Sequence, residues 1–273
     1  MDQEWTGYAI ELENRDKLKN ESVAMEFTFR DFQAPEEIDP RPYIRHDKQG
    51  GMGSCGGFGN TNCGEYLWGL ANGGWSDERQ FSPLFSYLEA QRLDGLLGRD
   101  RGSTISSGLE VSKTIGYLEA KDLPYRTPYP ANATSLITQE MRAKAGEFKI
   151  RSHTWLESYD DVFKYLSSES GVVYPGTPWN NSFYAANGVL ESVSFTSRDG
   201  GHAYCFAGYS KRKDSKNRSY IWRLNSHNDS WTEVAPSVID ALCKHQYSSI
   251  VGMSDLLTPG PRKMVWKKDR PLE

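Results

Sequence analysis

Cys55 closes the run Gln49-Gly50-Gly51-Met52-Gly53-Ser54-Cys55, and from there the chain turns helical in pattern. A thiol attacks a carbonyl only as the thiolate, so a nucleophilic cysteine needs a lowered pKa. A helix N-terminus and a neighbouring imidazole both supply that. The glycines allow the backbone to approach a substrate closely. Gln49 lies six residues before Cys55 and can turn its amide donor toward the same point as the Cys55 backbone N–H. Two donors converging on a developing oxyanion lower the barrier by about 3–4 kcal/mol each. Alone, this segment is not decisive. A cysteine in a Gly-rich turn serves packing as readily as chemistry, so a base has to come from elsewhere.

A base is offered by Gly200-Gly201-His202-Ala203, at the start of the run HAYCFAGY. A histidine opening a strand after two glycines can project into a cleft while Tyr204 and Phe206 alternate behind it. Leu224-Asn225-Ser226 ends the next apolar run, and an Asn side-chain oxygen there can orient the imidazole. Taken singly, His202 reads as a satisfied core or surface histidine, and Asn225-Ser226 as a turn. Cys63 is a rival nucleophile, but it sits two turns into the same helical stretch and lacks the benefit of the helix end. Cys63, Cys205 and Cys243 read as small buried residues. The five histidines do not pair with each other or with cysteines at metal-ligand spacing, so no metal and no cofactor is implied.

These groups need elements to carry them. Residues 82–98 read as a helix, with Ser82 as cap and Pro83 at the first helical position. Residues 103–118 read as another. DDVFKYLSS begins a short helix, GVVYPG reads as a strand ended by Pro-Gly, and HAYCFAGY and SYIWRLN form a hairpin around the charged stretch Lys211–Arg218. Helices thus dominate the first half and strands the second, which predicts an α+β fold of two lobes meeting at a cleft. Residues 1–40 read as an extension packed on the domain, residues 41–257 as the domain, and 258–273, basic and Pro-rich, as an extended C-terminal arm.

Together the pieces QGGMGSCGGF, GGHAYCFAGY and WRLNSHNDSW, in the order Gln, Cys, His, Asn, resemble the papain family of cysteine peptidases. The Gln49-to-Cys55 interval matches that family's. The stretch STISSGLEVSKTIGYLEAKDLPY resembles the part that follows its substrate-binding glycines. The resemblance covers roughly residues 40–235. It implies a helical left lobe and an antiparallel β-barrel-like right lobe, with the active site between them. It further implies Cys55 as nucleophile, His202 as general base and acid, Asn225 as its orienter and Gln49 in the oxyanion hole. Gly102, Gly201 and Trp231 are assigned to substrate binding on the same ground.

Three departures stand out: Gly56 and His227 where the family carries tryptophans, and Met52 where it carries a half-disulfide cysteine. His227 is expected to loosen the shielding of the Asn–His hydrogen bond or to add a second titrating group. The stretch before Cys55 is too short for the family's helical pro-domain, so activity is expected to be immediate or restrained in another way.

The balance of 32 basic and 36 acidic residues offers no surface for nucleic acid or an anionic membrane. The N-terminus lacks the pattern of a signal peptide, and no stretch is apolar enough to span a bilayer. Four cysteines in 273 residues do not form a disulfide framework and suit a reducing compartment. The expected partner is a polypeptide substrate, in the cytoplasm or in a virion. Alternatives are a peptidoglycan-stem amidase of a phage particle, or a structural protein of a larger assembly.

Overall fold

The structure is a computed structural model that describes residues 7–23, 34–167, 171–185, 187–227 and 231–257. The C-terminal arm expected at 258–273 lies outside the described residues. The helices are α1 (Arg15–Asn20), α2 (Cys55–Asn72), α3 (Pro83–Asp94), α4 (Ile105–Glu110), α5 (Ala133–Leu136), α6 (Gln139–Ala145), α7 (Tyr159–Ser167) and α8 (Pro236–Lys244). The strands are β1 (Lys149–Trp155), β2 (Val172–Trp179), β3 (Val189–Leu190), β4 (Gly200–Ala203), β5 (Cys205–Lys213), β6 (Ser219–Leu224), β7 (Trp231–Val234) and β8 (Ser249–Leu257).

Strands follow the order β1-β8-β2-β5-β6-β7-β3, with β4 added on β2, and every neighbouring pair is antiparallel except β3 with β7. One apolar cluster, with Met52, Leu84, Phe85, Tyr87, Leu88 and Leu118, builds the helical lobe. A second, with Val162, Val173, Phe206, Ile221, Ile239 and Ile250, builds the strand lobe. A third contains Tyr8, Cys55, Cys63, Ile105, Tyr174 and Val251, and joins the two. The α+β, two-lobed architecture expected from the segregation of helical and strand patterns is therefore the one adopted.

Three local differences from the sequence reading bear on the site. Helix α2 begins at Cys55, inside the stretch that composition marks as a glycine loop. Glycine weakens an isolated helix, but α2 is buried along most of its length, and tertiary packing decides. The expected helix over 103–118 is α4 followed by a π-turn, Val111–Ile115. Strand β2 does not stop at Pro175-Gly176. It continues to Trp179 because Gly176–Trp179 pair with β4, and the Pro175 carbonyl accepts the Tyr204 N–H at 3.3 Å. Ser82 caps α3 through the Phe85 N–H, with Pro83 at the first helical position.

Candidate active site

Cys55 is the first residue of α2, so its side chain sits at the positive end of an eighteen-residue helix. Its Sγ accepts the backbone N–H of Ala203 at 3.4 Å, which brings the residue next to His202 onto the sulfur. Gly56 follows from the space available. A Cβ there would stand 2.5 Å from Ser103 Oγ, and the Gly56 carbonyl accepts the Tyr174 hydroxyl at 2.8 Å. No side chain fits where the papain family carries tryptophan.

His202 lies in β4, buried, with Nε2 2.8 Å from Asn225 Oδ1. The same Oδ1 accepts the backbone N–H of His227 at 3.2 Å. A backbone N–H can only donate, so the Asn225 atom facing both groups is its oxygen. The proton of a neutral His202 ring is then on Nε2, and Nδ1 carries the free lone pair. Nδ1 is the nitrogen left to exchange a proton with the thiol.

Trp179, which the sequence reading missed, packs on the His202 ring with centroids 4.4 Å apart. It shields the His202–Asn225 bond from β2, a different part of the chain from the position after Asn-Ser. Reading β2 past Pro175 would have found it. On the other face, His227 stacks on His202 at 4.0 Å, and its Nδ1 is 3.2 Å from the Tyr184 hydroxyl. Burial pushes the His202 pKa well below the usual imidazole value; His227 pushes it further down, Asn225 opposes the shift, and Arg223 adds to it.

The sign of the His227 effect follows. Charge on His227 disfavours charge on His202, so removing it raises the His202 pKa. A His227→Gln chain is expected to show the acid limb of its pH–rate profile moved to higher pH. An unmoved or lowered acid limb would mean that the stacked ring does not influence His202 electrostatically.

Gln49 is buried beneath the glycine loop. Its Nε2 donates to the Met52 carbonyl at 2.9 Å, its Oε1 accepts the Ser226 hydroxyl at 2.6 Å, and its backbone N–H donates to the Ser226 carbonyl at 3.0 Å. A carbonyl can only accept, so the amide orientation is determined, and Nε2 keeps a second proton. Gln49 therefore ties the loop carrying Cys55 to the segment carrying Asn225. Asp100 holds the same loop from the other side, accepting the Gly53 N–H at 3.0 Å and the Tyr87 hydroxyl at 2.7 Å.

Burial pushes the Cys55 pKa up to about 12, against the lowering effect of the Ala203 and Gly56 N–H groups. The cover over the sulfur is residues 7–9. A Cβ on Gly7 would stand 2.4 Å from Cys55 Sγ, so this glycine lies directly on the thiol. The Gly7 carbonyl accepts the Ser103 N–H at 3.3 Å, the Ala9 N–H donates to the Ser103 carbonyl at 3.0 Å, and the Tyr8 N–H donates to the Gly201 carbonyl at 3.1 Å.

Of the three residues assigned to substrate binding, Gly201 lines this cleft. Gly102 does not face it with its own backbone groups: its N–H donates to the Tyr87 hydroxyl at 3.1 Å and its carbonyl accepts Gln91 Nε2 at 3.1 Å. Ser103, the next residue, takes that place. Trp231 stands in β7, edge-on to Trp222 at 6.4 Å, whereas the indole against His202 is Trp179. An open cavity of about 610 Å³, lined by residues including Arg45, Phe58, Phe81, Lys121 and Tyr125, does not include Cys55, His202 or Asn225. Among the described residues no group of three His, Cys, Asp or Glu side chains is placed to hold a metal, and no helix is long and apolar enough to cross a membrane.

No protein-family model and no curated protein matches this sequence. Solved structures do. Xylellain, a cysteine protease from Xylella fastidiosa, is similar over 93% of this chain and 98% of its own, with TM-score 0.66 and 18% identity. Digestive procathepsin L 3 of Tenebrio molitor larval midgut is similar over 90% of this chain and 77% of its own, with TM-score 0.63 and 13% identity. Bromelain from Ananas comosus is similar over 81% of this chain and 99% of its own, with TM-score 0.58 and 18% identity. At these identities the likeness concerns the fold, and the fold of this chain is that of the papain-like cysteine proteases.

Proposed function

We propose that this protein is a cysteine endopeptidase that cleaves peptide bonds through a thioester acyl-enzyme. The observation that carries this reading is the His202–Asn225 pair, whose bonding leaves Nδ1 as the free base on the strand that also donates the Ala203 N–H to Cys55 Sγ. In the proposed reaction Nδ1 takes the thiol proton and the thiolate attacks the carbonyl carbon of the scissile bond. The developing oxyanion receives the Cys55 backbone N–H and the second proton of Gln49 Nε2; each such donor lowers the barrier by about 3–4 kcal/mol. The imidazolium returns its proton to the leaving amine. Water then attacks the thioester with His202 again as base, and Cys55 is restored. Asn225 holds the ring, and Trp179 keeps water from that hydrogen bond.

Because Gly7 covers the sulfur, the test uses both the parent and a Gly7→Ala chain. An epoxide thiol reagent is expected to label Cys55 in the opened chain, casein is expected to be cleaved, and Cys55→Ala is expected to do neither. Purified sacculi run beside casein: cleavage of sacculi alone would move the substrate to cell-wall peptides. A folded, opened chain that neither labels at Cys55 nor cleaves either substrate would refute the reading.

A further inference from the structure

The segment over Cys55 is a resident peptide, and its bonding describes what the cleft accepts. Its backbone is gripped from both lobes, by Ser103 on one side and Gly201 on the other. These are main-chain contacts that any peptide could make. At Gly201 a Cβ would fall 2.2 Å from the Tyr8 carbonyl oxygen, so the wall leaves room there for a peptide backbone. Selectivity must come from side chains, and residue 8 is where one is read.

The Tyr8 ring is 2% exposed and enters a pocket beside the thiol. Ile105 and Gly176 form its walls. A Cβ on Gly176 would stand 2.4 Å from an Ile105 carbon and 2.9 Å from Tyr8 Cζ, so glycine there gives the pocket its depth. At the bottom, the buried Ser249 Oγ lies 3.2 Å from the Tyr8 hydroxyl. An apolar pocket ended by one hydroxyl fits a phenol better than a phenyl or an alkyl chain. A phenyl would leave Ser249 without that partner. Burial, with Glu13 nearby, keeps the phenol protonated and able to donate.

After Ala9 the chain turns away, with the Ile10 N–H on the Tyr8 carbonyl at 2.8 Å and the Leu12 N–H on the Ala9 carbonyl at 3.0 Å. Glu13 then anchors it. Its carboxylate accepts the N–H groups of Ile105 at 2.7 Å and Ser106 at 3.1 Å, at the start of α4. Only residues 7–9 cross the cleft, and both their ends are tied down.

We propose that the pocket filled by Tyr8 is the side-chain specificity pocket of the cleft, selective for tyrosine, and that residues 7–13 keep the cleft closed by occupying it with a Gly-Tyr pair of their own. This rests on the reading of Cys55 as the nucleophile of a peptide-cleaving cleft. Substrates would then carry tyrosine next to the residue that lies against the sulfur, and they compete with the strap for the same place.

The test reads Cys55 by alkylation with iodoacetamide, which needs no turnover. Gly7→Ala places a methyl on the sulfur and leaves Tyr8 intact; Tyr8→Ala empties the pocket. Both are expected to alkylate at least about tenfold faster than the parent, because the closed state no longer dominates. Gly7→Ala removes nothing from the core, so it remains informative if Tyr8→Ala does not fold.

In the Gly7→Ala chain, acetyl-Tyr-glycine nitrile, acetyl-Phe-glycine nitrile and acetyl-Leu-glycine nitrile are then offered as reversible blockers. Sulfur adds to the nitrile carbon and the thiol proton passes to the nitrile nitrogen. The tyrosine compound is expected to protect at about three- to tenfold lower concentration than the phenylalanine one, the worth of one hydrogen bond. The leucine compound is expected to be weaker still. Ser249→Ala is expected to abolish the preference for tyrosine over phenylalanine. Equal alkylation of parent and Gly7→Ala, or protection indifferent to the side chain, overturns the proposal. Casein left intact by a chain that alkylates fast and is protected in the expected order supports the pocket and counts against the peptidase reading alone.

Discussion

A His202→Ala chain with its cleft opened by Gly7→Ala is expected to hydrolyse peptides about two to four orders of magnitude more slowly than the opened parent, the usual worth of a positioned acid–base group. The ring is the only group whose bonding in the site leaves a basic nitrogen on the Cys55 side. Without it, nothing draws the proton from a thiol that burial already disfavours as the thiolate. Alkylation of Cys55 at neutral pH is expected to slow in the same variant, because both reactions need the thiolate. The acid limb assigned to His202 is expected to vanish from the pH–rate profile. Asn225→Ala, which removes one hydrogen bond to a charged ring, is expected to cost only about ten- to a hundredfold. Retention of more than about a tenth of the rate by His202→Ala would take the ring out of the proton path.

Trp179→Ala is expected to produce the largest loss of stability near the site, about 3–5 kcal/mol by denaturant unfolding. The indole is 2% exposed and touches His202, Phe183, Tyr184, Tyr204 and His227, with the Arg223 guanidinium over its face at 5.1 Å. Its removal opens a cavity and takes the aromatic face from a buried cation. Water then reaches His202, so the burial that holds the His202 pKa down is relieved and the acid limb is expected to move to higher pH. The Trp179 Nε1–H has no partner among the described residues. Trp179→Phe therefore loses no hydrogen bond and is expected to retain most of the stability and the parental acid limb. An acid limb unchanged in Trp179→Ala would mean that the indole packs on His202 without controlling its solvation.

Legibility followed locality. Gln49 and Cys55 lie within one short run, and the loop-to-helix change at Cys55 is a feature of neighbouring residues. His202 and Asn225 sit at the start and end of adjacent strands, where runs of β-branched and aromatic residues mark them. The α+β segregation could be read for the same reason. Trp179 could not, because a Pro-Gly pair within β2 imitates a strand end, and only its pairing with β4 carries the strand onward. Gly102 was taken for a cleft residue where Ser103 serves, since a one-residue offset along an extended segment exchanges which backbone groups face the cleft. The strap over Cys55 left no local mark. Its partners, Ser103 and Gly201, stand far along the chain, and a glycine followed by a tyrosine in a charged stretch announces neither.

The three hydrogen bonds of residues 7–9 have a mechanical side as well. They fasten Ser103, at the head of the helical lobe's α4, to Gly201 in the strand lobe. The strap is thus a staple across the joint between two halves, and lifting it softens the joint at the moment it bares the thiol. A vacated cleft is wider in its fluctuations as well as more accessible, so the first peptide to enter does more than find the nucleophile: it restores the stiffness that the departing strap removed.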